Sequence, residues 1–467
     1  MSRTAVAGTD QPVDDPPPPV PVPVPAPVPA PVPAFSGALE PDRAALATHS
    51  AETERLLAAL PPRPLRTPPQ QDAAGRLFGT ARQTRRAFLA LHTDAVYDEL
   101  TERRTRYPRL RELIRAAAAY FPGLVPTTDQ MAAENTLIQA EKDGREVDQA
   151  IFCAAVLRSA TAGRHLIEAM LRPTPRALEL LPGYRAEGRV ELASVLVERR
   201  GRATHVTFRN AHCLNAEDNR LIADLETAVD LALLDDATAV GVLRGGEVDH
   251  PRYQGRRVFS AGINLKDLRN GDVSFVDFLL GRELGYINKM YRGLLTEPGA
   301  DSWAERTVQK PWVGAVDSFA IGGGTQLLLV LDRVIAEEGA YFSLPAAEEG
   351  IVPGLANLRL SRLTGARAAR QVILGGRRIG TDDPEFRLLC DEVVEAHGMA
   401  EAVERAVTEL AAPAVAANRH MLGLVEEPLD LYRTYLAEFA VVQVARSYSE
   451  DVLAKVERRW QRSRDRS

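Results

Sequence analysis

The sequence has few of the residues that build disulfide, metal or membrane frameworks. Its 467 residues contain only three cysteines, Cys153, Cys213 and Cys390, which are far apart. An odd and dispersed set argues against a disulfide framework and against a zinc site. No apolar run approaches the roughly 20 residues that a membrane helix needs. Because the N-terminus also lacks the layout of a signal peptide, we expect a soluble, cytoplasmic protein of more than one domain.

An excess of positive charge is also missing. The chain has 57 Lys and Arg against 63 Asp and Glu, a net charge of −6. This balance predicts neither a nucleic-acid partner nor a membrane-surface partner. The eight histidines are scattered, and no two-histidine-plus-carboxylate cluster or Gly-x-Gly-x-x-Gly turn follows a predicted strand. We therefore expect no metal, flavin or haem cofactor.

Proline is concentrated at the N-terminus, where residues 11–34 contain twelve of the 32 prolines. Proline fixes φ and donates no hydrogen bond, so this segment favours an extended polyproline II conformation. Residues 1–39 are either a disordered leader or a ligand for a proline-binding module.

Residues 40–187 have helical patterns and no clear constellation for chemistry. One apolar face recurs every three or four residues through Leu77, Ala81, Thr84, Phe88, Leu91 and Ala95. Thr127 and Gln130 form a capping-box pattern that opens another helix. A further apolar segment covers residues 147–171, and the prolines that follow it predict its end. This part is predicted to be an all-α packing domain.

In residues 188–395, predicted strands alternate with helices. Strands are expected at 195–197, 205–208, 240–243 and 312–316, with one more ending at Gly262, and helices at 219–234 and 326–331. Such alternation is typical of βα units and a largely parallel sheet. Residues 396–467 are again helical, and we expect them to contribute to oligomerisation.

Two segments are candidates for the active site. Residues 259–266 (Phe-Ser-Ala-Gly-Ile-Asn-Leu-Lys) and residues 310–326, with three glycines at 322–324, each run from a predicted strand through a small-residue turn into a helix. A glycine turn lets main-chain amides approach a ligand, and the helix start adds positive potential. If the turns face each other, one N–H from each could bind a single oxygen, which is an oxyanion hole.

These two segments, together with residues 341–354, 374–379 and 391–394, resemble the crotonase (enoyl-CoA hydratase/isomerase) superfamily. The resemblance implies an α/β fold with a ββα spiral core, preceded by an all-α N-terminal domain and followed by C-terminal helices. It implies an acyl-CoA substrate whose thioester oxygen is held by the amides of Ile263 and Gly323. It also implies a homo-oligomer, a trimer or hexamer. Lys266 is either a contact for the CoA nucleotide or a solvated loop lysine.

Two departures from the superfamily pattern restrict the chemistry. Gln326 and Ala346 occupy the positions at which hydratases of this superfamily have glutamates. Hydration needs two carboxylates, one as a base and one as an acid, to activate water. We therefore expect no ordinary enoyl-CoA hydration, although the oxyanion hole can still stabilise an enolate.

Residues 139–149, 215–219, 275–287 and 346–350 resemble a narrower group within the superfamily, the cofactor-independent oxygenases that act on aryl-acetyl-CoA thioesters. This resemblance implies that the enolate reacts directly with O2 and yields an α-keto acid and free CoA. Two other functions stay open: a thioester hydrolase or decarboxylase with the same oxyanion hole, and a non-catalytic acyl-CoA-binding protein. Dependence of CoA release on O2 distinguishes among them.

The narrower resemblance also implies roles for three polar residues. Glu217 and Arg282 would face the ring end of the substrate, where buried hydroxyls need partners. Gln326 would position the substrate or a peroxide. Alternatively, Glu217 complements a helix dipole and Arg282 forms an ion pair with Glu283. The sequence does not identify the base that removes the α-proton.

Overall fold

The computed structural model describes residues 27–296 and 307–464, with no side-chain description for 459–464. Most of the proline-rich tail, residues 1–26, lies outside the described residues. The remainder of the tail is not a free solvated segment. The ring of Phe35 packs edge-on against Phe88 at 5.7 Å, and the N–H groups of Ser36 and Gly37 donate to Asp42.

Seven helices precede the sheet. They are α1 (Leu39–Ala58), α2 (Pro68–Leu100), α3 (Leu110–Tyr120), α4 (Thr128–Glu134), α5 (Glu146–Arg158), α6 (Ala160–Leu171) and α7 (Pro175–Glu187). The capping box predicted at Thr127 and Gln130 is present at the start of α4. The apolar segment 147–171 is two helices rather than one, because Ser159 interrupts it and caps α6 by accepting the Ala162 N–H.

The buried face of α2 differs from the prediction in its second half. Leu77 and Phe88 are buried as expected, but Leu91 is 55% exposed. The buried row continues instead in steps of four through His92 and Val96. His92 lies inside because its Nε2 pairs with the Asp42 carboxylate of α1 at 2.7 Å. A polar pair between helices thus overrides the apolar pattern.

The central sheet has seven strands in the order β1-β2-β3-β4-β7-β9-β12. β1 to β3 are antiparallel, and the strands from β3 to β12 run parallel. A three-stranded sheet (β11-β10-β8) and the pair β5-β6 complete the set. The strands are β1 (Arg189–Glu191), β2 (Val195–Arg200), β3 (Ala203–Phe208), β4 (Val240–Gly245), β5 (Leu294–Leu295), β6 (Thr307–Val308), β7 (Trp312–Val316), β8 (Phe319–Ile321), β9 (Arg333–Glu337), β10 (Tyr341–Ser343), β11 (Ile379–Gly380) and β12 (Glu392–Val394).

Eleven further helices lie among and after the described strands. They are α8 (Asn219–Leu234), α9 (Leu265–Asn270), α10 (Gly281–Leu284), α11 (Tyr286–Arg292), α12 (Gly323–Leu328), α13 (Ala346–Glu349), α14 (Ala356–Ile373), α15 (Met399–Leu410), α16 (Pro413–Glu426), α17 (Leu429–Ser447) and α18 (Glu450–Arg464). The predicted helix 219–234 coincides with α8. The expectation of a strand ending at Gly262 is wrong, because only a single bridge joins Ser260 to Ala320. The helix expected from residue 326 begins at Gly323, because the glycine turn forms its first turn.

The fold class agrees with the prediction: an all-α segment, a mixed core and C-terminal helices. One hydrophobic core runs through all three parts, from Leu46 of α1 to Val444 of α17. Helix α17 packs along α5, so the chain's end returns to the N-terminal helices. Across the described ranges, no helix has both the length and the apolar character that crossing a bilayer requires.

Candidate active site

The two glycine turns meet beside the central sheet. The Ile321 N–H donates to the Ser260 carbonyl oxygen at 2.9 Å, which joins the segments just before their turns. A Cβ on Gly262 would lie 2.9 Å from the Ile321 carbonyl oxygen and 3.4 Å from the Gly323 nitrogen. Since Gly262 also has a φ of +84°, only glycine allows this close approach without strain.

The main-chain amides of Ile263 and Gly323 lie where the two glycine turns meet. The Glu217 N–H donates to the Gly262 carbonyl, and the Asn264 N–H donates to the Glu217 carbonyl. This parallel bridge turns the intervening Ile263 N–H away from Glu217. Within residues 27–296 and 307–464, neither the Ile263 amide nor the Gly323 amide has an acceptor. Both residues line the same cavity, so the structure brings together the two donors that an oxyanion hole needs.

The cavity has a volume of about 330 Å³, at the small end of the range for ligand sites. Its apolar wall is formed by Phe278, Leu279, Ile321, Ile351, Val352 and Phe439. Helix α17 supplies Phe439. It also holds the segment around Val352, which lines the cavity, because Gln443 accepts the Val352 N–H at 2.8 Å. The C-terminal helices therefore help to build the site as well as the core.

Arg282 is the centre of a buried polar cluster in this cavity and is only 4% exposed. Its Nε and Nη2 donate to the Glu217 carboxylate at 3.0 Å. Its Nη1 donates to Glu283 Oε1 at 2.8 Å and to Gln326 Oε1 at 2.9 Å. Nη2 also donates to the Gly323 carbonyl oxygen at 2.8 Å. One guanidinium thus connects the proposed oxyanion hole to two carboxylates and the amide of Gln326.

Burial and charge act in opposite directions on this cluster. Burial disfavours the cation of Arg282, but the carboxylates of Glu217 and Glu283 outweigh it and raise the pKa of the guanidinium. Burial raises the pKa of the Glu283 carboxyl, and Arg282 and Arg359 only partly offset that effect. Burial also raises the pKa of Tyr286 well above its ordinary value. Tyr286 therefore stays protonated and donates to Glu217 Oε1 at 2.9 Å.

The local backbone explains how the cluster assembles. Residues Phe275–Leu280 form a wide π-helical turn, in which the Ser274 carbonyl oxygen accepts from the amides of Phe278 and Leu279. Such turns occur frequently at functional sites. Arg282 lies on α10 and Tyr286 begins α11, on either side of a break in the helix at Gly285, and both side chains donate to Glu217.

The predicted site residues are only partly brought together. Ile263, Gly323, Gln326, Glu217 and Arg282 all line the cavity. Lys266 is exposed on the first turn of α9 and is not part of the cavity wall. Its contact with the CoA nucleotide stays a prediction.

The contacts of Arg282 and Glu217 bear on the structural roles that were the alternatives for these two residues. Arg282 does pair with Glu283, in addition to Glu217. Glu217 does not cap α8, because the neighbouring Asp218 accepts the Leu221 N–H at 2.7 Å.

Sequence reasoning named Glu283 only as a possible ion-pair partner of Arg282 and missed Tyr286. Both lie in the segment 275–287 that carries the narrower resemblance, next to and four residues after Arg282. Their closeness in sequence to Arg282 was the signal that could have identified them as part of the site. In the part of the chain that the structure describes, no group of three or more His, Cys, Asp or Glu side chains could hold a metal ion.

Comparison with known proteins gives a family. Residues 198–434 match the enoyl-CoA hydratase/isomerase family model. The (3,5-dihydroxyphenyl)acetyl-CoA 1,2-dioxygenase of Amycolatopsis orientalis is 55% identical over 415 residues, 89% of this chain and 95% of that protein. A probable enoyl-CoA hydratase of Rhizobium meliloti is 29% identical over 51% of this chain and 83% of its own length. The crystal structure of an enoyl-CoA hydratase from Bacillus halodurans, 24% identical, covers 57% of this chain and 99% of that chain with a TM-score of 0.47. The chain belongs to the enoyl-CoA hydratase/isomerase family.

Proposed function

We propose that this protein is a cofactor-independent dioxygenase that converts (3,5-dihydroxyphenyl)acetyl-CoA and O2 to 3,5-dihydroxyphenylglyoxylate and free CoA, a step toward dihydroxyphenylglycine. The observation that carries the proposal is the cavity in which two unpaired amides lie beside the Arg282 cluster. The 55% identity to the Amycolatopsis dioxygenase, which extends through the N-terminal helices, supports the choice of reaction and substrate.

Binding follows from the polarity of the cavity. The thioester oxygen accepts the N–H groups of Ile263 and Gly323, while the aryl ring lies along the apolar wall. A ring hydroxyl donates to Glu217 Oε2, which among the described residues accepts a hydrogen bond from Arg282 Nε alone, and Arg282 holds this carboxylate in place and compensates its charge. The adenosine part of CoA extends outside the cavity, where Lys266 is a candidate contact.

The first chemical step is loss of an α-proton. The aryl ring and the thioester both acidify this C–H bond, and the two amides stabilise the negative charge that develops on the thioester oxygen. Gln326 cannot remove a proton, but its side chain can position the substrate or a peroxide, since its Oε1 is held by Arg282.

The enolate is the reductant for O2. Electron transfer and recombination place a peroxide on the α-carbon. The distal oxygen attacks the thioester carbonyl and expels the CoA thiolate. O–O cleavage with loss of the second α-proton then forms the keto group and the carboxylate. Both oxygen atoms of O2 end in the keto acid, one α-proton ends on the CoA thiolate and the other is released to solvent, and neither water nor an external electron donor is consumed.

The experiment follows CoA release and O2 uptake together with purified protein. Anaerobic mixing with the substrate should release no CoA, and admission of O2 should start release with one O2 consumed per CoA. Equal release without O2 would indicate a thioester hydrolase instead. Exhaustive chelation should leave the rate unchanged, and activity that is lost and then restored by added iron would contradict the cofactor-free mechanism.

The proposed assembly is a homo-oligomer, a trimer or a hexamer. Helix α16 supports it, because large apolar side chains on this helix are exposed, with Val425 at 80%. The exposed set is Met421, Leu422, Leu424 and Val425. Such a patch is typical of a protein interface. Light scattering gives the mass of the assembly, and a monomer would contradict this part of the proposal.

A further inference from the structure

We infer that Glu283 is the general base that removes the α-proton of the aryl-acetyl thioester, an assignment that rests on the proposed function. Glu283 lines the cavity and is 2% exposed. Its Oε1 accepts from Arg282, whereas its Oε2 has no hydrogen-bond partner in the described part of the chain. A buried carboxylate oxygen without a partner is costly and calls for a functional explanation.

The position of Glu283 is suited to this role. Its Oε1 and the Gln326 Oε1 accept from the same nitrogen, Arg282 Nη1. Both oxygens also lie within 2.4 Å of the point where a Cβ on Gly354 would stand, so a side chain at Gly354 would displace them. Gln326 lies one helical turn after Gly323, whose amide is a proposed oxyanion donor. Glu283 thus places a carboxylate next to the side-chain amide of Gln326, the residue that stands where hydratases of the superfamily have a glutamate.

Other carboxylates of the cavity are less suited. Both oxygens of Glu217 already accept from Arg282, and the Tyr286 hydroxyl donates to Oε1 as well, which weakens Glu217 as a base. Glu348 and Glu349 also line the cavity, but Glu348 is exposed to solvent and Glu349 only half-buried. A base in a dry site is stronger than a solvated one, and burial raises the pKa of Glu283 accordingly.

The proton transfer balances within the site. The α-C–H bond breaks, its electron pair becomes the enolate, and the proton goes to Glu283 Oε2. One negative charge moves from the carboxylate to the thioester oxygen between the Ile263 and Gly323 amides. The CoA thiolate that leaves later can accept this proton, which regenerates the carboxylate.

The test uses four variants of the full-length protein. Glu283→Gln keeps the shape and removes the base, Glu283→Asp keeps a shorter base, and Glu348→Gln removes another carboxylate of the cavity. Glu401→Gln, on the exposed side of α15, is the matched carboxylate control. The first readout is anaerobic incorporation of deuterium from D2O at the α-carbon, followed by mass spectrometry. The second is aerobic turnover of protiated and α-dideuterated substrate, which does not require the abstracted proton to reach solvent.

Glu283→Gln should lower both rates by about 10²- to 10⁴-fold, the usual contribution of a general base. Its dissociation constant for the substrate, measured anaerobically, should change little, whereas loss of a purely structural support for Arg282 would weaken binding. Glu283→Asp should keep a low rate with the acid limb of its pH profile. Glu348→Gln should retain α-proton exchange, and Glu401→Gln should resemble the unmodified protein.

The acid limb of the kcat/KM profile separates the two possible roles of Glu283. Replacing a residue with a purely structural role would leave this limb in place, whereas replacing the base would remove it. The Glu283 carboxyl faces Arg282 of α10, Glu217 and Arg359 of α14. The Tyr432 hydroxyl of α17 donates to the Glu283 main-chain carbonyl oxygen, and Tyr286 of α11 and Tyr435 of α17 are also within electrostatic reach of the carboxyl. In the unmodified protein kcat/KM should rise with pH as Glu283 loses its proton, and Glu283→Gln should lack that rise.

Near-normal exchange and turnover in Glu283→Gln, or an acid limb that persists in it, would overturn the assignment. Loss of exchange in Glu348→Gln alone would assign the base to Glu348. If the unmodified protein releases CoA without O2, the proposed function fails, which is distinct from failure of the base assignment. Should Glu283→Gln not fold, Glu283→Asp decides: a normal rate would contradict the inference.

Discussion

Replacing Gly323 by alanine tests the proposed oxyanion hole and the polar cluster together. A Cβ at this position would lie 1.9 Å from Glu217 Oε2 and 3.1 Å from Arg282 Nη2. Non-bonded heavy atoms pack at about 3.5–4.0 Å, so the Glu217 carboxylate would have to move by about 1.5 Å or the glycine turn would have to open. Either change separates a proposed amide donor from the residues that hold the ring.

The magnitude follows from these two losses. Misplacing a reacting group by about 1 Å can cost about 10²-fold in rate. Removal of one oxyanion donor costs about 10²- to 10³-fold in kcat. We therefore expect Gly323→Ala to lower kcat at least 10²-fold. Preference for the dihydroxyphenyl substrate over phenylacetyl-CoA should fall as well, because Glu217 loses its position.

The assay is O2-dependent CoA release with both substrates, and thermal unfolding shows whether the variant folds. Gly75→Ala is the control, because Gly75 lies on the exposed side of α2 and a Cβ there meets nothing within 4 Å. That change should stabilise the protein by about 0.5–1 kcal/mol and leave kcat unchanged. Normal kcat and normal substrate preference in a folded Gly323→Ala variant would refute the oxyanion assignment.

Further predictions concern stability, recognition and pH. Lys289 is fully buried between two carboxylates of α8, at 2.7 and 2.8 Å, so Lys289→Met should lower the free energy of unfolding by about 3–5 kcal/mol in urea titrations. Arg282→Ala and Glu217→Ala should impair turnover of the dihydroxyphenyl substrate more than that of phenylacetyl-CoA, and equal losses would remove their roles at the ring. Gln326→Glu adds a third carboxylate near Arg282. A like charge raises the pKa of Glu283, so the acid limb of kcat/KM should move to higher pH, and an unmoved limb would contradict this electrostatic coupling.

Features that depend on local sequence could be predicted. The strands β2, β3, β4 and β7 and the helix α8 follow from hydrophobic patterns within a few residues, and the glycine turns follow from composition. These signals need no knowledge of distant contacts.

Features that depend on distant partners could not be predicted. The inward position of His92 requires Asp42, fifty residues earlier, and the break at Ser159 replaces a continuous apolar pattern by a side-chain cap. The role of α17 as a cavity wall needs its packing on α5. Glu283 was visible only as the neighbour of Arg282, since its unpaired oxygen is a property of the folded cavity.

The charge of the buried cluster explains why Gln326 suits this site better than a glutamate. Arg282 supplies one positive charge, and Glu217 and Glu283 supply two negative charges within its hydrogen-bond reach. A glutamate at position 326 would be the second carboxylate on Arg282 Nη1 and the third on this guanidinium in a nearly dry site. At least one carboxyl would then stay protonated. An amide accepts the same hydrogen bond without that charge, so Glu283 can remain ionised and act as the base. The amide at position 326 thus keeps the Glu283 carboxylate available for its proposed role as the base.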